Sequence, residues 1–123
     1  MNYYELPLFK YIYFEDSYVL GIEEKSESLV FYLEVVLTEE NPLYMPPKPG
    51  ERYFYKKAIL TFNDIRVKNW IERNSSETKD GSGGIDYGNI DLFKLEGGIY
   101  TLSGDWGVLK VECENIDFQW ADF

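Results

Sequence analysis

Carboxylates are the most numerous titratable side chains in this chain, with 22 Asp and Glu against one cysteine and no histidine. Without histidine the chain lacks the commonest general base, the usual partner of a nucleophilic serine and the commonest metal ligand. What stays open is hydrolysis by two carboxylates set roughly 5–10 Å apart across a sugar, one with a raised pKa. With so many acids some pair falls at that separation by number alone, and no spacing singles one out. No catalytic residue, metal ligand or cofactor is therefore assigned, and the chain is read as non-enzymatic, with a carboxylate-dependent hydrolase as a further alternative. Cys113 alternates with Val111 on one strand face and stands between Glu112 and Glu114, surroundings that disfavour a thiolate, so it reads as a buried structural thiol.

The stretch from Lys79 to Gly88, KDGSGGIDYG, could cradle a phosphate or a cation. The dinucleotide fingerprint fails, because Gly81 and Gly83 are followed by Asp86 where the third glycine belongs, and no Gly-Lys-Ser/Thr ending completes a P-loop. Both motifs also need a helix after the loop, whereas IDLFKLE next door is a strand. A calcium loop of EF-hand type starting at Asp80 has Ile85 where glycine is required; an irregular one drawn from Asp80, Asp86 and Asp91 is the alternative. The expectation is a mobile, glycine-rich, solvent-exposed connection over residues 73–88, with Asp80 and Asp86 among the candidate partner contacts.

The elements that would position such residues are strands. From Leu29 to Thr38 every odd residue is apolar, while Tyr32, Glu34 and Thr38 make the other face more polar, a strand with one face in the core. The same alternation places Tyr18, Leu20 and Ile22 together, and Phe54, Ala58, Leu60 and Phe62 with the stem of Lys56. Later segments continue it: IRVKNWI at 65–71, IDLFKLE at 90–96, IYTLS at 99–103, GVLKVEC at 107–113 and IDFQW at 116–120. Gly97-Gly98 is a two-residue hairpin signal. The predicted fold is all-β, a single domain over 1–123, an antiparallel sandwich or partly closed barrel of seven to nine short strands. At most one short helical turn is expected, at NWIERN. In two places the inward phase flips: from Leu60 and Phe62 to Ile65 and Val67 across Asn63-Asp64, and from Val111 and Cys113 to Ile116 and Phe118 across Glu114-Asn115. A strand that keeps burying apolar residues through such a flip needs a bulge or bend. The two stretches match in polarity, which reads as a weak internal duplication.

Net charge is −10, unevenly spread. Residues 1–50 carry nine acids and three bases, residues 51–73 three acids and six bases, and residues 74–123 ten acids and three bases. Nucleic acid is a poor partner for such a surface and a basic protein a better one. With a single cysteine, no basic leader before an apolar run, and no apolar stretch of membrane-spanning length, a cytoplasmic protein with no membrane partner is expected. Contact candidates lie in the proline-stiffened segment 41–55, with Tyr44, Met45 and Arg52, residue types that include the tyrosine and arginine favoured at interfaces; Tyr44 and Met45 could equally fold back as a lid. Trp106 in the GDWG turn is either a plug for one end of the core or an exposed anchor. The N-terminal aromatics form an edge strand or a sticky segment.

The stretches YFEDSYVLGIEEKSESLVFYLEVVL, AILTFNDIRVKNW and LSGDWGVLKVECENIDF together resemble small bacterial all-β proteins, mostly uncharacterised, some of them similar to immunity proteins that accompany polymorphic toxins. The likeness lies in the Asp16-Ser17 lead-in to the first hairpin and in the apolar strand ending at the Asn63-Asp64 corner. Several such proteins carry a His-Asp pair at the lead-in, where this chain has Glu15-Asp16, so no role of that histidine transfers. The resemblance implies a cytoplasmic protein-binding module, and the acidic surface suits a cationic toxin. A small-ligand-binding barrel or sandwich, with Phe31, Phe54, Phe62 and Phe118 lining a cavity, is the alternative; an uncovered edge strand would also permit a homo-oligomer.

Overall fold

Leu29, Phe31, Leu33 and Val35 are fully buried, as their alternation demands, and they form the strand around which the remaining elements are laid. A computed structural model describes residues 1–73, 78–79 and 85–121, with the side chains of 78, 79, 85 and 86 excepted. Its strands are β1 (Ile12–Glu24), β2 (Leu29–Leu37), β3 (Tyr55–Arg73), β4 (Thr78–Lys79), β5 (Ile85–Asp86), β6 (Ile90–Glu96), β7 (Ile99–Gly104) and β8 (Gly107–Trp120). Six of them make one antiparallel sheet in the order β1-β2-β3-β8-β7-β6, while β4 and β5 pair only with each other. The sheet rolls into a half-barrel, so the chain is all-β.

The expected count of seven to nine short strands is not matched in this sheet, because segments read as separate strands are continuous. Residues 55–62 and 65–71 belong to the 19-residue β3, and residues 107–113 and 116–120 to the 14-residue β8. The two phase flips fall opposite one another across the β3–β8 ladder, with Asn63 paired to Asn115, Phe62 to Ile116 and Ile65 to Cys113. Asp64 takes the turn, with φ of 53°, in the left-handed region that Asp and Asn tolerate better than other side chains. A shared kink lets Ala58, Leu60 and Phe62 face the core on one side of it and Leu109, Val111 and Cys113 on the other. Ile116, Phe118 and Trp120 also pack against the core, half-buried, as their parity predicts. Cys113 lies inside the half-barrel and burial pushes its pKa up, as fits a structural thiol.

Helical geometry occurs where it was not expected. Asn69–Arg73 is strand, not a helical turn; it runs on because β8 supplies ladder partners from Gly107 to Lys110. Of the N-terminal aromatics envisaged as an edge strand or sticky segment, Tyr13 and Phe14 lie in the outer strand β1, while two 3-10 turns, Tyr3–Glu5 and Pro7–Phe9, precede it. They put Tyr3 and Phe9 into the core, where Phe9 meets Phe14 at 5.2 Å and Phe118 at 5.5 Å, centroid to centroid. A buried phenylalanine of this kind is worth about 1.5–3 kcal/mol.

Both outer strands are partly covered by the chain's own backbone. Leu95 of β6 exchanges hydrogen bonds with Met1 at 2.7 and 2.9 Å. Val19 of β1 does the same with Tyr87 and Gly88, at 2.8 and 2.9 Å. That coverage leaves less free edge for pairing with a second copy. Among the described residues no helix is long and apolar enough to cross a membrane.

Candidate functional site

Strand β1 does not follow β2 evenly. Tyr13 pairs with Val36 and Tyr18 with Glu34, so four β1 residues stand against Val35 alone. The ladder bonds lost in this wide bulge are replaced by two side-chain hydroxyls. Fully buried Ser17 donates from Oγ to the Tyr13 carbonyl at 2.7 Å and accepts from the Val36 N–H at 2.9 Å. The Tyr3 hydroxyl accepts from the Phe14 N–H at 3.0 Å and donates to the Glu15 carboxylate. A second shift, between Val19 and Gly21, leaves Leu20 unpaired. Each extra residue changes which face the next side chain takes.

These bulges correct the inward set read from the sequence. Val19 is fully buried and Ile22 packs on the core, whereas Tyr18 is 38% exposed and Leu20 turns to the convex face. There, with Asp16 beside them, they form one wall of a cleft of about 600 Å³. Glu34 of β2 and Tyr55 of β3 make its floor, and Glu51 and Arg52 come from the preceding loop. Asp105 closes the far side. It reaches that position because Gly88 has no side chain: a Cβ there would lie 2.6 Å from the Asp105 carboxylate. Four carboxylates thus ring the cleft, with Arg52 as the single base in its lining among the described residues.

A chain of ring contacts leads out of the cleft: Tyr18 lies tilted against Tyr55 at 5.9 Å, Tyr55 meets Tyr53 edge-on at 6.3 Å, and Tyr53 meets Tyr13 edge-on at 6.4 Å. Burial, reinforced by Tyr18 and by the charges of Asp16 and Glu34, pushes the Tyr55 pKa up to about 12. The Tyr53 pKa is also raised, first by the hydrogen bond it gives Asp16. Both hydroxyls are therefore protonated donors at neutral pH. A spectrophotometric titration should show a phenolate component appearing near pH 12 that a Tyr55→Phe variant lacks. The same shift makes Tyr55 contribute stability below the ordinary phenol value near 10 and lose that contribution as pH rises to about 12.

A second, more apolar cleft of about 270 Å³ adjoins the first and shares Arg52 with it. Val36, Leu37, Phe54 and the rings of Tyr13, Tyr44 and Tyr53 form its walls, with Glu39 at its margin. Tyr44 is half-buried, edge-on to Phe54 at 6.0 Å, and so serves as a lid while still facing this cleft. Met45 is 60% exposed and Arg52 is exposed.

Of the residues proposed as contacts, Tyr44 and Arg52 are brought together at the second cleft. Trp106 is 1% exposed and its Nε1 donates to the Asn89 carbonyl at 3.2 Å, so it is the plug of the two readings and not the exposed anchor. Asp80 and the side chain of Asp86 lie outside the described residues, as does most of the glycine-rich stretch at 73–88. Asp16, Tyr18, Glu34, Tyr55 and Asp105 were missed. Glu34 and Tyr55 share the outward parity of their strands and could have been found by reading that face. Asp16 and Tyr18 could not, because their direction depends on the bulge.

Phe31 and Phe62 are fully buried and in ring contact at 6.0 Å. Phe118 packs on Phe9 and Phe14, so these three rings fill the interior, whereas Phe54, the fourth ring of the cavity reading, packs on the core and lines the second cleft. Comparison with known families, curated proteins and solved structures returns no match.

Proposed function

We propose that the chain is a non-enzymatic protein-binding module whose convex-face cleft receives a cationic segment of a basic protein, in the manner of an immunity protein blocking a toxin. The observation that carries this reading is the convergence of Asp16, Glu34, Glu51 and Asp105 around the paired rings of Tyr18 and Tyr55 in one cleft. Carboxylates attract a guanidinium or ammonium, and tyrosine faces add cation–π attraction worth about 0.5–1 kcal/mol at an exposed site. A chain of charge −10 also draws such a partner from a distance, at a rate that falls with salt. A small cationic ligand in the same cleft is the second reading, supported by the cleft's volume.

The test is direct binding, by calorimetry, of each separately purified product of the genes adjacent to this one. A one-to-one complex with a basic product is expected. Asp16→Asn with Glu51→Gln should weaken it about threefold to tenfold, the scale of two exposed charge contacts. Absence of any complex, or a complex indifferent to these two substitutions, contradicts the reading.

A further inference from the structure

The chain has three arginines, and two of them are neutralised. Arg73 meets Glu24 at 3.0 Å, and Arg66 meets Glu112 at 3.5 Å and also Glu114. Arg52 is different: among the described residues it forms no ion pair, although it lines a cleft with four carboxylates. Its guanidinium lies instead over the Tyr53 ring, 5.2 Å from the centroid, and that ring is tethered by its hydroxyl to Asp16. A guanidinium held in place on an aromatic face keeps its fork of N–H donors unspent, and the fork matches a carboxylate. It stands where the acidic cleft and the apolar cleft meet, since it lines both.

An occupant that satisfies all three features must be cationic at one end, apolar at the other, and must carry an anionic group between them. A purely anionic ligand is excluded by the flanking Glu51 and Glu39. We propose that the two clefts form one bipolar site for the C-terminus of a basic protein. The terminal apolar side chain enters the pocket of Val36, Leu37, Tyr44 and Phe54. The α-carboxylate pairs with Arg52, and the preceding lysine or arginine side chains enter the carboxylate cleft. Capture of a chain terminus by its carboxylate is an established mode of peptide recognition. This assignment rests on the cationic-segment reading above and adds the polarity and end-group of that segment.

Two peptides test it, N-acetyl-Arg-Gly-Arg-Leu with a free carboxylate and the same peptide with a C-terminal amide, titrated at low salt. The amide carries one more net positive charge, so attraction to an acidic surface alone makes it the tighter ligand. Capture by Arg52 reverses the order, and the free acid is expected to bind about fivefold tighter, the scale of one exposed ion pair. In Arg52→Gln, exposed and therefore expected to fold normally, the preference should invert to favour the amide. Equal binding, tighter binding of the amide by the native chain, or an acid preference that survives Arg52→Gln overturns the inference while the acidic-cleft reading stands. If neither peptide binds, both fall.

Discussion

A Ser17→Ala variant is expected to unfold roughly 10 °C below the native chain. Ser17 is fully buried, and its hydroxyl bridges the Tyr13 carbonyl and the Val36 N–H across the gap where four β1 residues face one of β2. Removing it leaves a backbone donor and a backbone acceptor that the bulge has already separated from each other, so neither can re-form a ladder bond. Each unsatisfied buried group costs about 1–3 kcal/mol. The cavity left by one hydroxyl adds little, so a loss of about 2–4 kcal/mol is expected. In a domain of this size each kcal/mol moves Tm by a few degrees. Chemical denaturation measures the loss directly, and Ser17→Thr, which keeps the hydroxyl, should recover part of it. The effect should also reach the cleft, because Asp16 is the neighbouring residue of the same bulge.

Gly104→Ala is expected to be more damaging still. A Cβ at this position would stand 2.0 Å from the Asn89 carbonyl oxygen and 2.6 Å from Trp106 Nε1. Those are the two atoms of the hydrogen bond that seats Trp106. Relief requires either opening the Ile90–Gly104 pairing of β6 and β7 or expelling the indole, which contacts Phe31 at 5.3 Å and Trp70 at 6.0 Å. Truncating a buried tryptophan typically costs about 3–5 kcal/mol, and displacing it is of the same order. Loss of the fold, or a Trp fluorescence spectrum shifted toward that of solvent-exposed indole, is the expected readout. Gly21→Ala serves as the control, since its Cβ would meet only Tyr32 at an ordinary 3.5 Å, and a change within about 1 kcal/mol is expected there.

The all-β class was legible because burial on one face of a strand imposes a period of two, and β2 and the first half of β3 obey it. The flip at Glu114-Asn115 was legible as a phase change, and the one at Asn63-Asp64 only as far as Ile65, because a further register shift turns Val67, read as inward, to solvent at 52% exposure. Their meeting in one kink was not, since pairing of residues 52 positions apart leaves no local mark on either segment. β1 was misread for a related reason. A bulge adds residues without changing composition, so Tyr18, Leu20 and Ile22 kept their apparent alternation while the backbone turned two of them outward. Trp106 was left open between plug and exposed anchor and counted among the contact candidates; Gly104, whose bare Cα admits the Asn89 carbonyl, makes it the plug. The cleft was the least legible feature. Its carboxylates come from a bulge, a strand, a loop and a turn, and only the folded sheet brings them together.

The central claim is that this cleft binds cations by charge. It is tested most directly by following backbone amide shifts while a hexa-arginine peptide is titrated at two salt concentrations. Saturable shifts at Asp16, Tyr18, Glu34, Tyr55 and Asp105, with affinity several-fold weaker at the higher salt, are the predicted result. Shifts confined to other faces, affinity unchanged by salt, or no binding would contradict it.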